Sequence, residues 1–155
     1  MNFGAEKAIA HPSPAVVNGG AGARRHPAST IGLIIYGPPV TKKNSARIAR
    51  TKAGTPFILP SKQAKSWTAD AVKQMRAQSL GAAPIDTLVS ARVRVYRAKR
   101  TGDLINYLQA VADALEEAGV VVNDKLIVAW DGSRLLHDKH IPRVELRLSP
   151  FEEAA

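Results

Sequence analysis

Three aspartates stand on or just beyond one stretch, Gly102-Asp103-Leu104-Ile105-Asn106-Tyr107-Leu108-Gln109-Ala110-Val111-Ala112-Asp113-Ala114-Leu115, which Gly119 closes and Asn123-Asp124 follow. Carboxylates suit hard divalent cations, and magnesium characteristically takes one or two of them while keeping several waters. Asp103 and Asp113 would lie about 15 Å apart along a helix rising about 1.5 Å per residue, too far to share one ion. The residues after Gly119 have the reach to return along the helix, roughly 17 Å at about 3.4 Å each, which makes Asp124 the expected co-ligand of Asp103. Both aspartates also have ordinary uses, since Asp before a helix caps backbone N–H groups and Asp in a loop makes a turn. On the residues alone, both uses stay open.

The element that must position these carboxylates is a helix over about 103–118, opened at Asp103 and ended by Gly119 as a left-handed residue. At about 100° per residue, Leu104, Leu108, Val111 and Leu115 share a packing face, while Asp103, Asn106, Ala110 and Asp113 cluster on another. A strand leads toward this helix: from Leu88 to Tyr96, Val89, Ala91, Val93 and Val95 alternate with Ser90, Arg92, Arg94 and Tyr96. Ile31 to Tyr36 reads as a first strand stopped by Gly37-Pro38-Pro39, and Thr41 to Ser45 as a loop. Phe57-Ile58-Leu59 reads as a brief edge strand. Ser61 caps a helix to about Ser79, with Trp67, Ala71, Val72 and Met75 inward and Lys62, Lys65, Lys73 and Arg76 outward. Leu126–Trp130, an Asp131-Gly132 turn, and Val144, Leu146 and Leu148 alternating with Arg143, Glu145 and Arg147 complete the order β-loop-α-β-α-β-β. The expected fold is α+β, a mixed β-sheet with two main helices in a single domain over residues 31–149. Residues 1–30, rich in Ala, Gly, Pro and Ser without a period, are expected to be a disordered arm, and 150–155 a short tail.

The chain has 155 residues, 45% of them hydrophobic, enough for one sizeable core. Its net charge is +9. The first 30 residues contribute only +2, from Lys7, Arg24 and Arg25 against Glu6, which leaves +7 on the remainder of the chain. Such a field favours a polyanionic partner, nucleic acid ahead of a membrane surface, with steep salt dependence. The absence of cysteine excludes disulfides and thiolate zinc sites, no segment reaches the roughly 18 apolar residues of a membrane span, and no secretory leader is apparent, so the expectation is a cytoplasmic protein.

Lys42, Lys43, Asn44 and Arg47 sit in or beside the proline-limited loop, with Arg50 and Lys52 close behind, and Arg97, Lys99 and Arg100 immediately precede Asp103. These are the expected DNA-contacting residues, placed to hold phosphates around the carboxylates, and Arg134, Lys139 and Arg143 extend that surface. His137 and His140 are too sparse for zinc, and Trp67 and Trp130 read as core or interface. Asp131 is assigned to its turn and Asp113 to a neighbouring backbone or basic group.

The helix and its acidic exit resemble the RusA family of Holliday-junction resolvases, whose pattern is Asp-x-Asp-Asn opening a helix, Asp-Ala-Leu one turn from its end, and Asp-Asp after it. The segment Tyr36-Gly37-Pro38-Pro39-Val40-Thr41-Lys42-Lys43-Asn44-Ser45 is similar to that family's Pro-rich, Asn-containing loop, and Pro60-Ser61-Lys62 to the entry of its first helix. The resemblance spans roughly residues 31–149. It implies a magnesium-dependent endodeoxyribonuclease, with manganese as a possible substitute, that resolves four-way junctions or related branched DNA by paired symmetric nicks. It also implies a homodimer, for whose surface Tyr107 and Leu136 are offered. Asp103 and Asp124 carry over as metal ligands, and these two with Asn106 as catalytic residues. Ile105 stands where the pattern has its second Asp, Gln109 where it has a Lys, and Asn123 where it has the first Asp of the closing pair. Those departures keep open a non-catalytic junction-binding protein with a degraded metal site. A basic RNA-binding domain would suit the charge alone but lacks an aromatic recognition motif.

Overall fold

The computed structural model describes residues 30–43 and 46–153. The arm expected over residues 1–30 falls, through residue 29, outside the described residues, as do Asn44 and Ser45. Strand β1 (Ile31–Tyr36) pairs antiparallel with β7 (Arg143–Pro150), which pairs antiparallel with β4 (Val89–Arg97). On its other edge β4 pairs in parallel with β5 (Ile127–Ala129) near its beginning and with β6 (Arg134–His137) near its end. Parallel neighbours need a crossover, and helix α2 (Leu104–Ala118) supplies it between β4 and β5. The observed fold is thus the expected α+β one, a mixed sheet with two helices.

The alternation read in β4 is observed: Val89, Ala91, Val93 and Val95 are fully buried, alongside Leu33 and Ile35 of β1 and Val144, Leu146 and Leu148 of β7. Against this face pack α2 and helix α1 (Lys62–Gln78), forming one core cluster. The Ser61 hydroxyl accepts from the Ala64 N–H at 3.1 Å, as its position before a helix predicts. Trp67, Ala71, Val72 and Met75 face inward, joined by Ala64. Two glutamines of α1 reach the free edge of β1. Gln78 accepts from the Ile34 N–H at 2.9 Å and donates to its carbonyl at 2.7 Å. Gln74 does the same for Tyr36 at 2.9 and 3.0 Å.

Several expectations are corrected. The buried side of α2 is wider than one leucine stripe, because the helix meets both the sheet and α1: Ala110, placed on the open face, is 7% exposed, and Tyr107, offered as an interface residue, is 8% exposed. Leu136 is half-buried within β6. The loop after Pro39 gives way to a strand β2 (Arg47–Arg50), which forms a separate hairpin with β3 (Pro56–Leu59). At the other terminus β7 continues to Pro150, and the Phe151 N–H donates to the Leu88 carbonyl at 3.1 Å.

Candidate active site

Asp103 lies where β4 hands the chain to α2. Gly102, at φ 91°, makes the turn that only a residue without a Cβ adopts freely. Asp103 then takes the extended N-cap conformation, and its carbonyl accepts the Asn106 N–H at 3.2 Å. Its carboxylate makes no capping bond and is solvent-exposed. The capping role open to it in sequence is therefore not the one it plays. It projects from the positive end of a 15-residue helix, where the dipole favours an anion.

The groups around it divide into fixed and free. Arg97, expected on DNA, is half-buried and spends its guanidinium on the carbonyls of Thr101, Gly102 and Leu136, so it holds the turn in front of Asp103. Tyr107 donates to the Thr101 carbonyl at 3.4 Å, and burial raises its phenol pKa although Arg97 nearby pulls it down. Lys99 and Arg100 are exposed on the same turn, and Lys43 is exposed beyond the Pro-rich segment. Lys42 reaches α2 instead, pairing with Asp113 at 2.8 Å. Gln109 donates to the other Asp113 oxygen at 2.9 Å, so a lysine from the Pro-rich loop brings positive charge to the turn occupied by Gln109. Asp113 thus binds a basic side chain, as read from sequence. Arg47 is exposed on β2, and Asn44 lies outside the described residues.

A cleft of about 460 Å³ opens over Asp103 between Gln63 of α1 and the Pro39-Val40-Thr41 segment. It shares Pro39, Val40, Gln63, Thr101 and Tyr107 with a groove of about 630 Å³ that runs past Trp67 to Tyr36 and Asp70. Trp67 lines that groove and is largely buried, its indole N–H without a partner among the described residues. Gln63 went unnoticed in the sequence because it belongs to no motif, and Tyr36 was read only as the end of a strand and the start of the Pro-rich segment. Their relevance comes from α1 and β1 flanking the end of β4.

Asp124 is elsewhere. It opens a short 3-10 turn, Asp124–Leu126, and its N–H donates to the Glu116 carboxylate at 2.8 Å, on the last turn of α2. A helix of 15 residues is about 22 Å long at about 1.5 Å per residue, so Asp103 and Asp124 mark opposite ends of α2 within one chain. The chain does not double back after Gly119. Val120 and Val122 pair with Ile85 instead, the Ile85 N–H donating to the Val120 carbonyl and the Val122 N–H to the Ile85 carbonyl, each at 2.9 Å. Among the described residues no three His, Asp or Glu side chains gather as a metal cluster. Ile105, where the resemblance expects a second Asp, is 68% exposed. Arg143, expected on the basic surface, is engaged with Asp138 and Glu145, both at 2.9 Å, and stacks on Tyr96. Asp131 makes its turn, and among the described residues no helix is long and apolar enough to cross a membrane.

Comparison with known proteins falls on this same stretch. Residues 37–149 match the family model described as Endodeoxyribonuclease RusA. The chain is also 37% identical over 115 residues to the Crossover junction endodeoxyribonuclease RusA of Aquifex aeolicus (strain VF5), a match covering 74% of this chain and 86% of that protein. The matched span begins at the Pro-rich segment, takes in both helices and the turn that presents Asp103, and ends in β7, and on that extent the chain belongs to the RusA family of endodeoxyribonucleases.

Proposed function

We propose that this chain is a structure-selective endodeoxyribonuclease that resolves four-way DNA junctions by paired nicks, with Asp103 at the reacting phosphate. The observation that carries the reading is the exposed, uncapped Asp103 carboxylate at the positive end of α2, facing a cleft that adjoins a groove lined by Lys99, with Arg100 exposed on the same turn.

Asp103 fits a hard divalent cation, magnesium first and manganese second, because its carboxylate is not spent on its own helix and such ions take their remaining ligands from water and substrate phosphate. When bound, the cation would activate water and neutralise charge developing on the phosphate. Asn106, one helical turn on, can hydrogen-bond at the same end of α2. Lys99 and Arg100 grip the flanking phosphates. Arg97 fixes the turn so that Asp103 is presented in one position, and the buried Tyr107 phenol closes the floor in its neutral form.

Paired cuts in a two-fold substrate call for a two-fold dimer. Such a pair is also the arrangement in which Asp124 of one copy can serve the Asp103 end of the other, the two being at opposite ends of α2 within a copy. A DNA substrate accords with a cytoplasmic protein. The test is a labelled four-way junction and a linear duplex incubated with and without magnesium or manganese, beside Asp103→Asn. Paired, metal-requiring nicks in the junction alone, lost in the variant, are expected.

A second reading, a junction-binding protein with a degraded metal site, draws on the exposed Ile105 and on Gln109. Tight junction binding without cleavage in either metal would establish it in place of the first.

A further inference from the structure

Among the described residues nothing covers the face of the sheet turned away from both helices, and it is basic in a way the active site does not use. Arg92 of β4 is the direct cross-strand partner of Arg147 of β7, and Arg94 has Arg134 at its register on β6; all four are exposed. Like charges directly opposite one another destabilise a sheet, so folding gives no reason for the Arg92–Arg147 pair, whereas Arg94 stands opposite Glu145 on β7. The only acid among them, Glu145, is already engaged, one oxygen by Arg143 at 2.9 Å and the other by the Tyr96 hydroxyl at 3.4 Å. Arg92, Arg94 and Arg147 have no carboxylate partner among the described residues. Together with Glu145 they wall a depression of about 100 Å³. Arg92 is pre-positioned by its Nε, which donates to the Asp131 carbonyl at 3.2 Å, leaving the outer nitrogens to project.

Beside Arg147 the next strand carries Gly32. Nothing lies within 4 Å of where its Cβ would be, and its φ is not among the positive ones, so neither packing nor backbone in this chain requires glycine there. A glycine inside a strand often marks the close approach of another backbone.

We propose that this open sheet face is a second phosphate-binding surface, centred on Arg94 and Arg147 with Arg92, that holds the backbone of a duplex arm of the branched substrate on the side of the sheet away from the Asp103 cleft. Guanidinium groups bind phosphate oxygens in a fork geometry, and the bare strand at Gly32 lets a sugar-phosphate backbone come close. A second copy of the chain is the poorer occupant, because a two-fold face-to-face contact would set these arginines against themselves. The inference rests on the junction-cleaving reading and adds to it where an arm lies.

The test measures four-way-junction affinity of the full chain across a salt series for wild type, Arg94→Gln/Arg147→Gln, Arg94→Lys/Arg147→Lys and Gly32→Glu, with junction cleavage by the wild type as a separate readout. The glutamine pair is expected to weaken binding about tenfold or more at about 0.1 M salt and to flatten the log–log salt slope by about 2, close to 0.9 for each phosphate no longer neutralised. The lysine pair is expected to keep most of the slope. Gly32→Glu retains every arginine, has room for its side chain, and is expected to weaken binding as well. If wild type binds and cuts the junction while the glutamine pair matches it in affinity and slope, this inference alone falls. If wild type neither binds nor cuts the junction, the underlying reading falls and takes the inference with it. A glutamine pair whose sedimentation shows a changed oligomeric state, with junction affinity per active unit unchanged, would assign the face to a contact between copies and overturn the proposal.

Discussion

Where α2 begins, Asp103 follows a positive-φ glycine, caps nothing and opens onto a cleft; where α2 ends, another positive-φ glycine is followed within a few residues by Asp124, whose N–H is bound back to Glu116. Both ends combine a positive-φ glycine with an aspartate, and they satisfy their backbone in different ways. At the start, the backbone work is done by Arg97 and Tyr107, so the carboxylate is left available. At the end, the glycine N–H and the next amides return to Glu116 and Leu115, and the Glu116 carboxylate accepts the Asp124 N–H. The contrast shows two ways to close a helix terminus without its aspartate's carboxylate: neighbouring side chains hold the turn at the start, and the helix's own carbonyls receive the amides at the end.

The largest expected effect tests that contrast directly. Asp103→Asn should lower junction nicking on the order of 10²-fold or more, the scale of losing a catalytic group. If Asp124 serves the Asp103 end of a second copy, Asp124→Asn alone is also inactive, yet mixing the two variants by unfolding and refolding restores single, unpaired nicks, because one of the two sites in a mixed dimer is intact. If the two ends of α2 never meet, Asp124→Asn alone nicks junctions as wild type does. Next in size is a matched pair of glycines. Gly102 and Gly119 sit at φ 91° and 75°, so alanine at either should cost about 1–2 kcal/mol in thermal or urea unfolding. Only Gly102→Ala should also slow nicking below its melting range, because only that turn presents Asp103.

The Asp103 end was partly legible in sequence because its determinants are local: the strand alternation, the Ser61 and Asp103 positions and the terminating Gly119 all act within a few residues. The position of Asp124 was not legible. After Gly119 the chain is captured by Ile85, a pairing set by the tertiary fold, and nothing between Val120 and Asp124 marks that partner. β2 and β6 were missed for a similar reason. Arg47–Arg50 offers almost no apolar alternation, and Arg134–His137 is a strand because the end of β4 is there to pair with it. The intramolecular partners of Arg97 and Arg143 were not legible because a basic residue beside a site looks the same in sequence whether it faces solvent or is bonded to carbonyls and carboxylates.

Smaller effects sharpen the comparison between the ends. Arg147→Gln should raise stability by about 0.2–1 kcal/mol by relieving the cross-strand repulsion with Arg92, a change visible in thermal melts and independent of either end of α2. Lys42→Ala, which breaks the exposed pair with Asp113 midway along the helix, should cost no more than about 1 kcal/mol, and less at high salt. Least of all, Asp138 sits at the Asp103 end, its N–H on the Arg97 carbonyl at 3.0 Å. Its pKa is held down by the Ile141 N–H, the Arg143 guanidinium and the His140 N–H. A lowered carboxylate pKa stabilises the fold above the unfolded value, near pH 4, and that contribution disappears as pH falls through the folded value. Melting temperature should therefore drop more gently in Asp138→Asn than in wild type as pH is taken below about 4.

The two glutamines of α1 that grip Ile34 and Tyr36 act as a missing outer strand. A sheet edge satisfied by side chains is sealed only while its helix stays docked. Any change that loosens α1 therefore does more than weaken the core: it uncovers a ready template for strand addition, so misfolding of this protein would begin at β1, with the departure of α1 as its trigger.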